Sequence, residues 1–175
     1  MPLPRKIALT GPESTGKTWL ADCLAERLGG IRVPEYARAY LADLRRAYDL
    51  DDVLCIAHGQ AQAEHEAVAQ GAEWIFCDTD MLVCKIWVEK RFGVCPPELE
   101  ELYRQQSYDL HLLCSPDLPW TPDPLREAPE LAVREELFAA YRAALETDAR
   151  LFRTVDGTGE ARLRSALAHL AAHFG

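Results

Sequence analysis

The stretch KIALTGPESTGKTWLA, residues 6–21, decides the fold of this chain. It opens with the apolar run IAL, continues through a loop bounded by Gly11 and Gly16, and passes at Lys17 and Thr18 into an amphipathic pattern. This is the GxxxxGK pattern followed by Ser or Thr, with a strand before it and a helix after it. A loop of this length turns consecutive backbone N–H groups toward an anion, and the positive end of the helix dipole adds to the attraction. The stretch therefore predicts a phosphate-binding loop.

Two side chains at the end of this loop have the chemistry to act on a nucleoside triphosphate. Lys17 would neutralise charge shared between the β- and γ-phosphates, and the Thr18 hydroxyl would ligate a Mg²⁺ ion that bridges them. We therefore predict ATP and Mg²⁺ as cofactors. The residues of this stretch that we expect to bind ATP are Gly11, Glu13, Ser14, Thr15, Gly16, Lys17 and Thr18.

Composition limits the class of protein. With 175 residues, 49% of them hydrophobic and 27% charged, the chain can form one domain with a sizeable core, which we place at residues 1–175. No apolar run approaches the roughly 20 residues of a membrane span, and MPLPRK leaves no room for a signal peptide before the first strand, so we expect a cytoplasmic protein. The net charge of −9 argues against nucleic acid or membrane as a partner and favours a small-molecule substrate, while a homo-oligomer stays open.

Short apolar segments alternate with helical patterns along the chain. The segments that we expect to form strands are 7–9, 31–33, 74–77, 110–114 and 152–155. Helices are expected between and after them, including 36–48 and 131–151, and Trp19, Trp74 and Trp87 are expected in the core. The alternation predicts an α/β fold: a P-loop NTPase three-layer sandwich with a five-stranded parallel sheet and helices on both faces.

A proline-rich segment separates the fourth strand from the next helix. SPDLPWTPDPLREAPE, residues 115–130, has no regular period, and a loop this long inside a compact domain is usually functional. We predict a lid over about residues 115–135. Trp120 would either stack on an aromatic base or pin the lid to the body. Arg126 and Arg134 are expected to reach over the phosphates and stabilise the charge of the transferring group.

Three carboxylates follow strands at the edge where open parallel sheets bind ligands. Asp78 ends the apolar run WIFC and is predicted to hold Mg²⁺ opposite the Thr18 hydroxyl. Glu35, just past the second strand, is the candidate base that orients an acceptor hydroxyl and takes its proton. Asp80 is its rival for this role, or a ligand of sugar hydroxyls.

Several motifs, taken together, resemble one known family. GPESTGKT, VPEYARAYL, IFCDTD, YDLHLLCSPDLPWTPDPLR and VDGTGEARL have the order and spacing of the ribosylnicotinamide kinase domain of the bacterial NadR family. The resemblance runs from Lys6 to about Arg162. It implies a P-loop kinase, similar to nucleoside and nucleotide kinases, that uses ATP to convert nicotinamide riboside to nicotinamide mononucleotide, a salvage step toward NAD.

The same resemblance implies roles for residues of this chain. It supports residues 11–18 as the ATP site, completed by Arg126 in the lid and Gly157 in the last motif. The residues expected at the substrate end are Glu35, Tyr36, Arg38, Asp78, Asp80 and Trp120. NadR proteins usually join this domain to an adenylyltransferase domain, often with a DNA-binding one, and this sequence contains neither. We therefore expect a stand-alone kinase. In the lid, Pro124 stands where the family is expected to carry glycine.

The predicted catalytic residues are Lys17, Glu35, Arg126 and Arg134, acting on a small hydroxyl compound. The residues alone leave two alternatives to nicotinamide riboside phosphorylation open. One is a kinase for another nucleoside or a small alcohol. The other is a nucleotide-dependent regulatory or sensor ATPase, which has no need of a base such as Glu35 on the acceptor side.

Overall fold

Parallel strands form the centre of the structure, a computed structural model that describes residues 3–175. The strands are β1 (Arg5–Thr10), β2 (Ile31–Val33), β3 (Trp74–Asp78), β4 (Leu110–Cys114) and β5 (Phe152–Val155). They form one sheet in the order β2-β3-β1-β4-β5, and every neighbouring pair is parallel. Strand β1 is central, with Ile7 beside Phe76 on one side and Leu110 on the other. The predicted five-stranded parallel sheet is confirmed.

Helices connect these strands in sequence. They are α1 (Lys17–Leu28), α2 (Tyr36–Asp43), α3 (Leu50–Ala69), α4 (Met81–Phe92), α5 (Pro97–Gln105), α6 (Leu131–Thr147) and α7 (Gly159–Phe174). The prediction that α2 extends to Tyr48 was wrong. This helix ends at Asp43 because Leu44 adopts an extended backbone, with φ −73° and ψ 125°. The chain then runs to a capping box in which Asp49 and Asp52 each accept the other's backbone N–H, so α3 starts at a defined point.

The end of α6 was also predicted too late. The helix stops at Thr147, not near Leu151, because Ala149 has a left-handed φ of 51°. A non-glycine residue in this conformation terminates a helix, and the N–H of Arg150 turns back to the carbonyl of Leu145. Residues 148–151 then form the short connection between α6 and β5.

The core lies on both faces of the sheet, as a three-layer sandwich requires. Helices α1 and α7 cover one face, where Leu20, Leu24 and Leu170 pack against strand residues such as Ile7. Helices α3, α4, α5 and α6 cover the other face around residues such as Ile56. Burying each of these large side chains contributes roughly 1.5–3 kcal/mol. The sheet is therefore fixed rigidly, and its carboxyl-end loops start from fixed points.

One of the predicted core tryptophans is not in the core. Trp74 is 8% exposed and Trp87 is partly buried against Tyr48, but Trp19 is 42% exposed. On α1 the inward face carries Leu20 and Leu24, and the adjacent position on a helix points about 100° away from it. Among the described residues, no helix combines the length and the apolar character that crossing a bilayer requires.

Candidate active site

The phosphate loop lies between β1 and α1, and its glycines meet real steric limits. Gly11 has φ 129°, and a Cβ there would lie 2.8 Å from the carbonyl oxygen of Cys114. Gly16 has φ 74° and ends the loop as the cap of α1. Because L side chains rarely adopt such φ values, both positions need glycine for the loop to close on itself.

The loop is arranged to receive an anion. The backbone N–H groups of residues 13–18 donate to no acceptor within residues 3–175. The Lys17 ammonium donates to the carbonyls of Gly11 and Pro12, at 2.9 and 2.6 Å, and has no carboxylate partner in the same part of the chain. Free N–H donors beside an unpaired ammonium at a helix N-terminus are what a phosphate chain binds.

Asp78 and Thr18 lie at the mouth of this loop. Burial raises the pKa of the Asp78 carboxyl, while the nearby Thr18 hydroxyl and the charges of Lys17 and Arg32 oppose the rise. The guanidinium of Arg32 lies 3.5 Å from Asp78. One carboxylate, one hydroxyl and phosphate oxygens are the donors that Mg²⁺ takes in such sites, so these two side chains fit the ion. Across the described residues, no cluster of three or more His, Cys, Asp or Glu offers a self-sufficient metal site.

Glu35 faces the same cleft from the end of β2. It is the residue before α2, yet its side chain makes no capping hydrogen bond and is free to act elsewhere. Burial raises the pKa of its carboxyl, with Lys17 opposing and Asp78 adding to the rise. Glu35 follows β2, Asp78 ends β3 and the phosphate loop follows β1; these three strands are neighbours in the sheet, so the three features share its carboxyl edge. The role of Glu35 as the acceptor-side base stays a prediction.

Tyr36 and Arg38, the next two predicted substrate residues, lie in the first turn of α2. The backbone N–H of Tyr36 donates to Gln60, and its ring, 39% exposed, rests against Gly59 of α3. Arg38 forms an ion pair with Asp123 at 2.9 Å and lies 3.7 Å from Glu35. Arg38 therefore bridges the predicted substrate end and the segment over it.

Residues 115–130 form that segment, an irregular connection between β4 and α6. Glu13 of the phosphate loop holds it down. Its carboxylate accepts hydrogen bonds from the Trp120 indole N–H at 3.3 Å and from the backbone N–H groups of Glu127 and Ala128, at 2.9 and 2.7 Å. The contact of Trp120 with Glu13 is of the kind that pins the segment to the phosphate loop. The predicted contacts of Glu13 with ATP and of Trp120 with an aromatic base stay predictions.

A second set of contacts runs through Ser14. The Ser14 hydroxyl lies 3.3 Å from the carbonyl of Pro119, and it accepts from the N–H of Thr121 at 3.1 Å. The Arg126 guanidinium also reaches this hydroxyl, at 3.4 Å. Arg126 thus lies against the phosphate loop, as predicted for a lid arginine, while its role in catalysis stays a prediction.

Arg134 is placed differently from the prediction of an open lid arginine. It is 3% exposed at the start of α6, where it donates to the carbonyl of Leu118 at 3.2 Å, and its Nε has no partner. Within residues 3–175, neither Arg126 nor Arg134 forms an ion pair. Because neither guanidinium is neutralised by a carboxylate, both add to the positive potential around the phosphate loop.

Asp80 is buried at the start of α4. It is 0% exposed and caps α4, accepting from the N–H of Val83 at 3.1 Å and from the Thr10 hydroxyl at 3.0 Å. Its second oxygen lies 3.6 Å from His111. Burial raises its pKa to about 6. In this structure the Asp80 side chain is the cap of α4, and its predicted roles as base or sugar ligand stay predictions.

Two residues of the site were missed by sequence reasoning. Arg162 is 0% exposed and bonds to the phosphate loop through the carbonyl of Thr15, at 2.9 Å. Asp117 forms an ion pair with Arg162 and accepts the N–H of Gly157 at 2.7 Å. Gly157, with φ 89°, is thereby held beside the loop. Its predicted contact with ATP stays a prediction. The sequence signals for this cluster are two of the quoted motifs: VDGTGEARL includes Arg162, and YDLHLLCSPDLPWTPDPLR includes Asp117.

Comparison with known proteins gives consistent relatives. A family model described as an AAA domain matches residues 6–162. The trifunctional NAD biosynthesis/regulator protein NadR of Escherichia coli is 31% identical over 136 residues, which cover 75% of this chain and 33% of that protein. The protein of the same description from Salmonella typhimurium is 32% identical over 126 residues, covering 70% and 31%. The chain thus spans about one third of the length of these curated relatives.

Solved structures share the fold. A NadR protein in complex with NR superposes with a TM-score of 0.79 and one in complex with NAD and AMP-PNP with 0.77. Both are 21% identical, cover 99% of this chain and are themselves covered over 51% and 50%. Deoxyadenosine kinase from M. mycoides has a TM-score of 0.61 at 17% identity, covering 95% of this chain and 99% of that one. The fold is that of the P-loop kinases.

The family match contains the whole site described above. It begins at Lys6 in β1, includes the phosphate loop, Glu35 and the segment 115–130, and ends at Arg162. The agreement of sequence, fold and loop geometry confirms the resemblance to the NadR family. The chain belongs to the AAA domain family and, within it, is homologous to the NadR proteins.

Proposed function

We propose that this protein transfers the γ-phosphate of ATP to nicotinamide riboside and forms nicotinamide mononucleotide. The observation that carries the proposal is the position of Glu35 after β2, at the same carboxyl edge of the sheet as the phosphate loop after β1 and Asp78 at the end of β3. A sensor ATPase has no use for such an acceptor-side carboxylate. The homologous NadR proteins are described as NAD biosynthesis proteins, and a NadR structure contains NR, which supports this choice of nucleoside.

The reaction needs the acceptor hydroxyl to lose a proton as its oxygen attacks. Glu35 would accept that proton while the new O–P bond forms and the bond from the γ-phosphorus to the ADP oxygen breaks. A raised pKa suits the task, since a base works best when its pKa lies nearer the operating pH. Lys17 and Arg126, which contacts Ser14 of the phosphate loop, would stabilise the negative charge that moves onto ADP, and the buried Arg134 would add to the positive potential from the start of α6.

Mg²⁺ fits the Thr18 and Asp78 side chains, and when bound it would bridge the β- and γ-phosphates and neutralise part of their charge. Residues 115–135 would act as the lid that excludes water, within one domain over residues 1–175. Trp120, Tyr36 and Arg38 would border the nucleoside. We place the reaction in the cytoplasm, with a small molecule as partner and neither nucleic acid nor membrane.

The test is ATP consumption by the purified protein with Mg²⁺ and a panel of acceptors. The panel holds nicotinamide riboside, adenosine, deoxyadenosine, cytidine, uridine, thymidine, glycerol and a blank without acceptor. We expect turnover selective for nicotinamide riboside, with the mononucleotide formed in equal amount to ADP. Turnover with another acceptor would move the proposal to that compound, and acceptor-independent hydrolysis would support the sensor ATPase.

Two variants guard the assay against contaminating kinases. Lys17→Ala should lower turnover by roughly a hundredfold or more, because it removes a cation that acts on charge developing in the transition state. Lys90→Ala, an exposed lysine of α4 that lies 3.9 Å from Glu136, should leave turnover unchanged. Activity that survives in the Lys17 variant would belong to another enzyme or to another mechanism.

A further inference from the structure

One buried guanidinium joins the segments that surround the phosphate loop. Arg162, in the first turn of α7, is 0% exposed. Its Nη2 donates to the carbonyls of Thr15 and Ser115, at 2.9 and 2.8 Å. Its Nη1 donates to the carbonyl of Gly157 at 2.6 Å and to Asp117 at 2.8 Å. The phosphate loop, the start of the lid and the loop after β5 are thus bonded to a single side chain.

Such a group needs a reason beyond packing. A buried charge is unfavourable unless it is paired and its N–H groups are used, and apolar side chains of similar volume stabilise a core at least as well. What an apolar side chain lacks is the planar fork that reaches several carbonyls in fixed directions. The geometry therefore points to a role in orienting these loops.

The orientation that matters is at the peptide bond between Thr15 and Gly16. In a trans peptide the C=O and the following N–H point in opposite directions. Because Arg162 holds the Thr15 carbonyl on the side of the core, the Gly16 N–H is directed to the other side. That N–H has no acceptor within residues 3–175, in common with its neighbours in the loop.

We propose that Arg162 is a positioning residue for nucleotide binding. It fixes the Thr15 peptide so that the Gly16 N–H faces the triphosphate, and with Asp117 it ties the phosphate loop to Gly157. The inference deepens the proposed function but rests only on its nucleotide-binding half. The acceptor plays no part in it.

The test compares the affinity of Arg162→Lys and wild type for AMP-PNP with Mg²⁺, measured by calorimetry without any nucleoside. Lysine keeps the charge and loses the fork, so we expect affinity to fall about tenfold or more, as for a lost hydrogen bond to a charged group. Inorganic tripolyphosphate should lose affinity as well, since the orientation concerns the phosphates. Asp117→Asn, which keeps one acceptor oxygen, should give a smaller loss in the same direction.

Arg150→Lys is the matched control. This guanidinium also donates to two backbone carbonyls, those of Gln106 and Tyr103, at 2.8 and 3.3 Å. It precedes β5, however, and so lies at the amino end of the strands, away from the phosphate loop at their carboxyl ends. The variant should lower the melting temperature without changing AMP-PNP affinity. A readout that stability alone does not move is the KM for the nucleoside at saturating ATP, which should stay within about twofold in Arg162→Lys.

The outcomes separate the two proposals. AMP-PNP affinity within about twofold of wild type in folded Arg162→Lys would overturn the positioning role, as would an equal loss of affinity in Arg150→Lys. If Arg162→Lys does not fold, Asp117→Asn decides alone, and unchanged affinity there has the same meaning. A wild type that binds AMP-PNP and phosphorylates nothing in the panel would end the kinase proposal and leave this inference intact.

Discussion

At the scale of single residues, Glu35 carries the chemistry that the proposal needs most. Glu35→Gln should lower kcat by roughly a hundredfold, since removal of a general base typically costs that much, while AMP-PNP still binds. In the wild type, kcat/KM should rise with pH up to the raised pKa of Glu35, and the residual activity of the variant should lack that acidic limb. Steady-state rates between pH 4 and 9 check this.

The same carboxyl should also leave a mark on stability. The pKa of Glu35 in the folded chain lies above the ordinary 4.5. Between pH 4.5 and that raised pKa, the folded chain therefore retains a proton that the unfolded chain has released. The free energy of unfolding contributed by this group falls as the pH rises through this range. Glu35→Gln should raise the melting temperature at pH 7 and leave it unchanged at pH 4. A loss of stability at pH 7 would contradict the burial of a charged Glu35; Glu135→Gln, on the exposed side of α6, is the control.

At the scale of elements, the lid depends on one carboxylate of the phosphate loop. Glu13→Gln replaces one acceptor oxygen by an amide that faces the N–H groups of Glu127 and Ala128. We expect the amide hydrogens of these two residues to exchange about tenfold faster, because their hydrogen bonds are weakened. Acceptor-independent ATP hydrolysis should increase as well, since a loosened lid admits water. Hydrogen exchange measured residue by residue is the direct check.

The control for the lid is Glu101→Gln. Within residues 3–175, Glu101 accepts only from the side chain of Gln105 on the exposed face of α5, so its replacement should leave exchange in the lid unchanged. If Glu13→Gln and Glu101→Gln behave alike, the lid is held by its other contacts. Those include the ion pair of Arg38 with Asp123, the hydrogen bond of Tyr48 to Glu127 and the contacts of Ser14 described above.

At the scale of the whole molecule, two buried groups give stability opposite pH dependences. Burial lowers the pKa of His111 to about 4 from 6.5, so its contribution is lost as the pH falls from 6.5 to 4. Burial raises the pKa of Asp80 to about 6 from 3.8, so stability is gained as the pH falls from 6 to 3.8. Each effect amounts to at most about 3 kcal/mol at ~1.36 kcal/mol per pH unit. In the wild type the two slopes oppose each other.

Single variants should expose each slope. Relative to wild type, Asp80→Asn should lose stability as the pH falls from 6 to 4, because only His111 then titrates. His111→Gln should gain stability over the same range. Urea unfolding at several pH values measures both, and slopes of the same sign in the two variants would refute the opposition.

Much of this fold can be predicted from local sequence patterns. The strands were predicted within one or two residues because buried parallel strands appear in the sequence as apolar runs. The phosphate loop was predicted because its backbone conformation requires glycine at fixed spacing. Glu35 and Asp78 could be placed because carboxyl ends of parallel strands share one edge. Each of these features depends on residues close together along the chain.

The rest depends on residues far apart. Arg162 bonds to Thr15 and Ser115, and no periodicity in α7 records that its guanidinium turns inward. Glu13 reads as an ATP-loop residue until the lid is folded over it. Asp80 looks like part of an accessible cluster, and only the packing of α4 against the sheet shows that it is enclosed.

The bonds between Glu13 and the lid also bear on rates. In the proposed lid mechanism a nucleotide enters only after they break, so the association rate constant would be the encounter rate multiplied by the fraction of time that the lid is open. The same bonds must break before a product leaves, which lengthens its residence. A single carboxylate would then govern both arrival and departure, and tighter closure would exchange speed of turnover for protection of the phosphoryl group from water.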